Sequence, residues 1–281
     1  MEYRALVAAA SFPTEDLAAR IRCRALEMVT RAKASHIGSA LSIADIVAVL
    51  YGRSLRLNPA EPKHSERDRF ILSKGHACVA VYAALAETGF IDRELLTTYG
   101  TDFSPLMAHI SHKVPGAEFS TGALGHGLPF GTGKALAAKS RGLAWRTVVL
   151  TSDGEWGEGS NWEAALFAAH HGLDNLLCII DYNKLQSLGT VDDTLRLEPL
   201  HSKFQAFGWA VQEVDGHDHA ALADAIDPTS WPAGKPAMLI CHTTKGKGVS
   251  FMESQVAWHY LNPTPELLAA AIAEIEGAQH A

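Results

Sequence analysis

Four short, apolar, β-rich runs, at residues 146–151, Leu176–Tyr182, 209–214 and 237–243, are separated by stretches with helical spacing. Strands that alternate with helices pair in parallel, because a crossover helix is what returns the chain to the same edge of a sheet. The pattern predicts an α/β fold, a mostly parallel sheet with helices on both faces, and it directs attention to the carboxyl ends of the strands, where such sheets bind ligands. The 281 residues equal about two average domains, and 47% hydrophobic residues are enough for a full core. No repeat, low-complexity tract or linker interrupts them, so residues 1–281 read as a single domain.

Ahead of the strands, Leu17, Ile21, Ala25, Met28, Val29 and Ala32 recur at helical spacing, with Thr14 placed to cap the helix. Arg20, Arg24 and Arg31 fall on its other faces and read as solvated rather than as phosphate ligands. Further helices are expected at 43–51 and at 78–88, the second stopped by Gly89, which makes region 14–100 mainly helical. Between 103 and 133 the periodicity fails while Gly, Pro, Ser, Thr and His accumulate; a loop this long with apolar residues embedded in it is expected to be functional. The βαβ part spans 145–262, and 263–281 reads as a terminal helix that packs on a partner.

A formal charge of -7 disfavours nucleic acid as a partner. The apolar piece at 5–12 is too short to span a bilayer and runs into Thr14-Glu15-Asp16, a helix start, so no targeting or membrane segment is expected. Cys23, Cys78, Cys178 and Cys241 are far apart in apolar stretches with no paired spacing, which suggests buried reduced thiols and a cytoplasmic protein.

The chemistry concentrates at Thr151-Ser152-Asp153-Gly154-Glu155. An Asp at a strand end, followed by Gly154, Gly157 and Gly159 and a helix from Asn161, offers backbone N–H groups to a phosphate. The Asp would repel that phosphate unless a cation lay between them, and hard oxygen ligands suggest magnesium or calcium. A second oxygen ligand is available at Asn183, at the end of the next strand in Asp181-Tyr182-Asn183-Lys184-Leu185. Taken alone, a strand-end Asp-Gly is as easily a turn former.

With these residues in view, the chain resembles thiamine diphosphate enzymes, and more narrowly the transketolase family. Further motifs carry the likeness across roughly residues 20–262: Ser35-His36-Ile37-Gly38, Ser73-Lys74-Gly75-His76, Ser120-Thr121-Gly122-Ala123-Leu124-Gly125, Trp162-Glu163-Ala164 and Lys245-Gly246-Lys247-Gly248-Val249. The resemblance implies thiamine diphosphate and Mg²⁺ as cofactors, with Ca²⁺ or Mn²⁺ as substitutes. It implies that Asp153 and Asn183 bind the metal through side chains and Leu185 through its carbonyl. Gly122, Ala123, Leu124, Gly154 and Glu155 would lie along the cofactor, His76 and His259 near its diphosphate and the reacting carbons, and His36 and His109 against substrate hydroxyls. Imidazole suits proton transfers near neutral pH, although each histidine alone would pass for an ordinary structural one. His112 rivals His109, because the family's His-Pro-Glu stands here as His109-Ile110-Ser111. Ser152, His126 and Tyr260 also depart from the family pattern.

The resemblance covers only the N-terminal, diphosphate-binding part of a transketolase. In the family a glutamate on a second, pyrimidine-binding domain activates the coenzyme, and the resemblance does not extend to that domain. The expectation is therefore one half of a split transketolase, inactive alone, joined to a separate subunit with the pyrimidine-binding and C-terminal domains in an α₂β₂ assembly. It would move a two-carbon ketol group from a ketose, commonly a sugar phosphate, to an aldehyde, with sugars as its small-molecule substrates. Two other readings stand beside it: the α-subunit of a 2-oxo acid decarboxylating or acyloin-forming enzyme, and a non-catalytic scaffold subunit.

Overall fold

The computed structural model describes residues 13–279. The apolar piece at 5–12 and the last two residues of the expected terminal helix lie outside the described residues. Five strands, β1 (Arg69–Leu72), β2 (Thr147–Ser152), β3 (Leu176–Tyr182), β4 (Ala210–Asp215) and β5 (Ala237–His242), form one sheet in the order β1-β2-β3-β5-β4. Every pair is parallel. β1 is an addition to the expected strands: its four residues lie in a stretch read as helical and are too few to show a period. Their pairing with β2 is what makes them a strand.

Side chains on a strand alternate between faces, and here the alternation divides the core in two. Val148, Leu150, Ile179 and Leu239 point into one apolar cluster, with α1 (Thr14–Ala32), α2 (Ile37–Ser42), α3 (Ala44–Val49) and α4 (Cys78–Glu87). Val149, Cys178, Ile180, Met238 and Ile240 point into the other, with α5 (Gly127–Ser140), α6 (Gly159–His170) and α8 (Leu200–Ala206). The sheet is thus covered on both faces, as strands buried on both sides require. The remaining helices are α7 (Val191–Thr194), α9 (His219–Ile226) and α10 (Pro265–Ala278). No helix among the described residues is long and apolar enough to cross a membrane.

Several elements differ from their expected form. Pro13, not Thr14, occupies the N-cap position of α1, with no side-chain cap bond; the Thr14 hydroxyl instead meets His219 Nδ1 at 2.9 Å. The helix expected at 43–51 is α3 running into a π-turn at Leu50–Ser54, and α2, just ahead of it, is an addition to the expected helices. All residues of α2 and α3 are buried, so no polar face exists to mark where a helix begins or ends. α5 starts inside the stretch expected to be irregular. The arginines of α1 are not simply solvated: Arg20 and Arg24, with Arg93, converge on the buried Glu87 of α4 at 3.2, 3.2 and 2.8 Å.

Cys78, Cys178 and Cys241 are buried and Cys23 half-buried, all unpaired. Burial pushes the Cys23 thiol up to about 11 and Cys78 up to about 12, and raises Cys178 and Cys241 as well. A thiolate is the reactive form, so thiol titration at about pH 8 should find Cys78, Cys178 and Cys241 unreactive until denaturant is added. Rapid modification of any of them in the native chain would contradict this packing.

Candidate active site

β2 and β3 are in register from Thr147 opposite Leu176 to Ser152 opposite Asp181. Their carboxyl ends therefore deliver Asp153 and Asn183 side by side, although 30 positions separate them. Asp153 is 1% exposed. Its Oδ1 accepts from the Gly154 N–H at 2.7 Å and its Oδ2 from the Lys184 N–H at 2.6 Å, so one carboxylate joins the loops that follow both strands. It has no ion-pair partner among the described residues. Burial, and then the neighbouring Asp181 carboxylate, push the Asp153 carboxyl up to about 7 against the pull of those N–H groups.

The Asn183 amide is oriented by its neighbours. Its Nδ2 donates to Asp181 Oδ2 at 2.9 Å, which turns Oδ1 the other way, where it accepts the Leu185 N–H at 3.0 Å. Asp181 is itself buried and takes further bonds from Lys74 Nζ (2.5 Å), Ser42 Oγ (2.6 Å) and Thr243 Oγ1. The Leu185 and Gln186 carbonyls accept from Lys245 Nζ at 3.2 and 3.0 Å.

Asp153, Gly154, Asn183 and Leu185 line a cavity of about 270 Å³ together with His36, His76, His109, His259, Gly122 and Leu124. The His36 ring lies 5.0 Å from those of His76 and His259 and 6.0 Å from that of His109. His36 holds a left-handed conformation (φ 76°) at the start of α2, and its N–H donates to the His259 carbonyl at 2.8 Å. A non-glycine residue in that conformation stores about 1–3 kcal/mol, a cost met where the chain must aim a side chain. Burial lowers His36 to about 4 and His259 to about 3, aided by neighbouring positive groups, and lowers His76 and His109 too. These imidazoles are neutral near pH 7, so each offers one donor and one acceptor.

Close packing holds the cavity wall in place. A Cβ on Gly75 would lie 2.4 Å from the Thr121 carbonyl oxygen, so the 73–76 and 120–125 segments meet only because position 75 has no side chain. Glu155 departs from its expected place beside the cofactor. It is fully buried and does not line the cavity; its Oε1 accepts from Ser73 Oγ (2.5 Å) and Gly125 N (2.8 Å), and its Oε2 from Ser152 N (3.3 Å). The tight 3₁₀ turn at Gly154–Gly157 aims this carboxylate inward, where it ties three loops together from behind. Ala123 is exposed and also does not line the cavity, whereas Gly122 and Leu124 do. His112, the rival of His109, pairs with Ser120 Oγ at 2.7 Å outside the lining.

Lys74, Lys245, Ser39, Gln186 and Tyr260 line the cavity without having been assigned a role from sequence. Lys74 and Lys245 are 1% and 2% exposed. Their position within Ser73-Lys74-Gly75-His76 and Lys245-Gly246-Lys247-Gly248-Val249 was the available signal, since a lysine alone reads as surface.

The transketolase thiamine diphosphate-binding domain matches residues 14–260. The chain belongs to the transketolase family. Within the family it is similar to one of the subunits of the apulose-4-phosphate transketolase of Phocaeicola vulgatus, with 44% identity over 254 residues and 90% of each chain covered. It is 40% identical over 257 residues to the 6-deoxy-6-sulfo-D-fructose transketolase subunit SqwG of a Clostridium species, covering 91% of this chain and 94% of that one. Among solved structures, transketolase from Leishmania mexicana superposes with a TM-score of 0.88 at 31% identity. That match covers 94% of this chain but 41% of the Leishmania one, so the chain spans less than half the length of a solved transketolase.

Proposed function

We propose that the chain is the diphosphate-binding subunit of a two-component transketolase, transferring a two-carbon ketol group from a ketose to an aldehyde in concert with a separately encoded subunit. The observation that carries this reading is the cavity at the ends of β2 and β3, where a buried carboxylate without a counter-ion faces neutral histidines and two lysines. The lengths support the division of labour, since the chain nearly matches in length a relative named as one subunit of a transketolase and covers 41% of a solved transketolase.

The residues fit the implied groups. Asp153, the Asn183 amide oxygen and the Leu185 carbonyl are hard oxygen donors suited to Mg²⁺, with Ca²⁺ or Mn²⁺ as substitutes. A divalent ion there would supply the positive charge that Asp153 lacks. Thiamine diphosphate, when bound, supplies a carbon nucleophile and electron sink for the ketol unit. Gly154, Gly122, Leu124, His76 and His259 would hold that coenzyme, with Lys245 and Lys74 favouring its negative charge. His36 and His109, uncharged near pH 7, would donate and accept protons at substrate hydroxyl and carbonyl oxygens. Relatives named for apulose-4-phosphate and a sulfo-sugar support an anionic sugar as substrate class. The assembly is proposed to be α₂β₂, the chain to act as one domain, and its reduced thiols to be in keeping with the cytoplasm.

Reconstitution tests the reading. The chain alone should transfer no ketol group, and mixing with the partner subunit should yield transfer together with tighter, Mg²⁺-dependent binding of thiamine diphosphate by calorimetry. Release of CO₂ from a 2-oxo acid by the mixture, or full transfer by the lone chain, would refute it.

A further inference from the structure

Asp45 is the hub of a buried cluster outside the cavity lining. It is 4% exposed and accepts from Arg22 Nη1 (3.0 Å) and Nη2 (2.5 Å), His217 Nδ1 (2.7 Å) and His219 Nε2 (3.1 Å). Burial pushes this carboxyl up, but the Arg22 charge and the hydrogen bonds from His217, His219 and Arg22 outweigh it and hold it well below the ordinary range. An ionised carboxylate only accepts, so the two imidazole nitrogens that face it carry protons.

The opposite nitrogen of His217 has a different partner. Its Nε2 lies 2.8 Å from the backbone N–H of Thr244, which can only donate, so Nε2 is bare and His217 is the neutral Nδ1–H tautomer. Arg22 also reaches the same turn: its Nε donates to the Lys247 carbonyl at 3.0 Å. Gly248, at φ +92°, brings the backbone against the arginine stem, where a Cβ would lie 3.1 Å from Cδ. Two side chains held by one carboxylate therefore grip the 244–248 turn on both sides of Lys245.

Lys245 joins this anchor to the cavity. Its ammonium meets the Leu185 and Gln186 carbonyls and lies 3.1 Å from His259 Nδ1. A lysine stem is flexible, so the position of its ammonium depends on where its backbone is pinned. We infer that His217 and Arg22, gathered by Asp45, are positioning residues for the coenzyme site: through Thr244 and Lys247 they fix the 244–248 turn and, with it, Lys245 against the 185–186 backbone. This rests on the proposed thiamine diphosphate function, and it assigns a role to residues that touch neither coenzyme nor substrate.

Two isosteres of one side chain separate the contacts. In His217→Asn the amide nitrogen stands in for Nδ1–H towards Asp45 and nothing reaches Thr244; in His217→Gln the amide oxygen stands in for Nε2 towards Thr244. In the reconstituted complex, His217→Asn should weaken thiamine diphosphate binding by about 10–100-fold, the usual effect of losing an outer-shell partner, and His217→Gln should retain most of the affinity. Arg22→Lys, which keeps the charge beside Asp45 but loses the fork that also reaches Lys247, should weaken binding as His217→Asn does. Independently of the coenzyme, ¹⁵N spectra of the wild-type chain should show His217 as the Nδ1–H tautomer. A wild-type complex that binds while all three variants match it overturns this inference alone. Equal loss in His217→Asn and His217→Gln, or an Nε2–H tautomer, does the same. A wild-type complex that binds no coenzyme overturns the function and this inference together.

Discussion

Asp153→Asn is expected to abolish Mg²⁺-dependent retention of thiamine diphosphate while leaving the unliganded chain at least as stable as before. The two effects have one cause. A carboxyl lifted from 3.8 to about 7 resists its own charge, by about 4 kcal/mol at roughly 1.4 kcal/mol per pH unit. Its folded value lies above its unfolded one, so the native state is favoured at low pH and this advantage is lost as pH rises from about 4 through about 7. Asn removes the charge and keeps one oxygen for the Gly154 or Lys184 N–H; leaving the other N–H without an acceptor costs about 1–3 kcal/mol. At about pH 8 the variant should therefore melt higher than the wild type, by roughly 1–3 kcal/mol in stability, and the gain should shrink towards pH 5. Coenzyme affinity should fall by at least about 100-fold, because an amide gives a divalent ion neither the charge nor the second oxygen of a carboxylate. Wild-type affinity in the variant would show that Asp153 holds no metal.

The same burial explains what could and could not be read from the sequence. β2, β3 and β5 are near-continuous apolar runs because both faces of each are covered, and their carboxyl ends fall within two residues of where the run of apolar side chains stops. Asp153 and Asn183 were legible for that reason, being the first residues beyond β2 and β3. α2 was not legible, since a helix buried all round shows no amphipathic period. β1 was hidden because a strand of four residues is defined by its partner, not by its own pattern. Glu155 lies within the right motif and yet faces away from the cavity, a direction set by the 3₁₀ turn that carries it. The two lysines were the hardest to assign, since the burial of Lys74 depends on Asp181, which is 107 positions along the chain.

Lys74→Met should cost about 3–5 kcal/mol of stability, the usual penalty for removing one partner of a buried ion pair. Both groups are buried, and Lys74 Nζ sits 2.5 Å from Asp181 Oδ2. Burial pushes the Asp181 carboxyl up, but Lys74, first by charge and then by its hydrogen bond, with Ser42 and Thr243, holds it below the ordinary value. Without the ammonium, Asp181 would be left beside Asp153 with no ion-pair partner, which favours uptake of a proton by one of the two carboxyls. Urea unfolding should show a lower midpoint with an unchanged slope, since the surface exposed on unfolding is the same. Removing both charges in Lys74→Met/Asp181→Leu should recover about half of the loss, as apolar replacement of a buried pair commonly does; the Ser42 and Thr243 hydroxyls, left without their acceptor, limit the recovery. Coenzyme binding should not recover with it. Asp181 also accepts from Asn183 Nδ2 at 2.9 Å, and without that acceptor only the Leu185 N–H is left to hold the amide oxygen in its present orientation. A single variant that loses less than about 1 kcal/mol would show the pair to be a minor contributor, and a double variant that regains both stability and coenzyme would show that the Asn183 amide is oriented by something else.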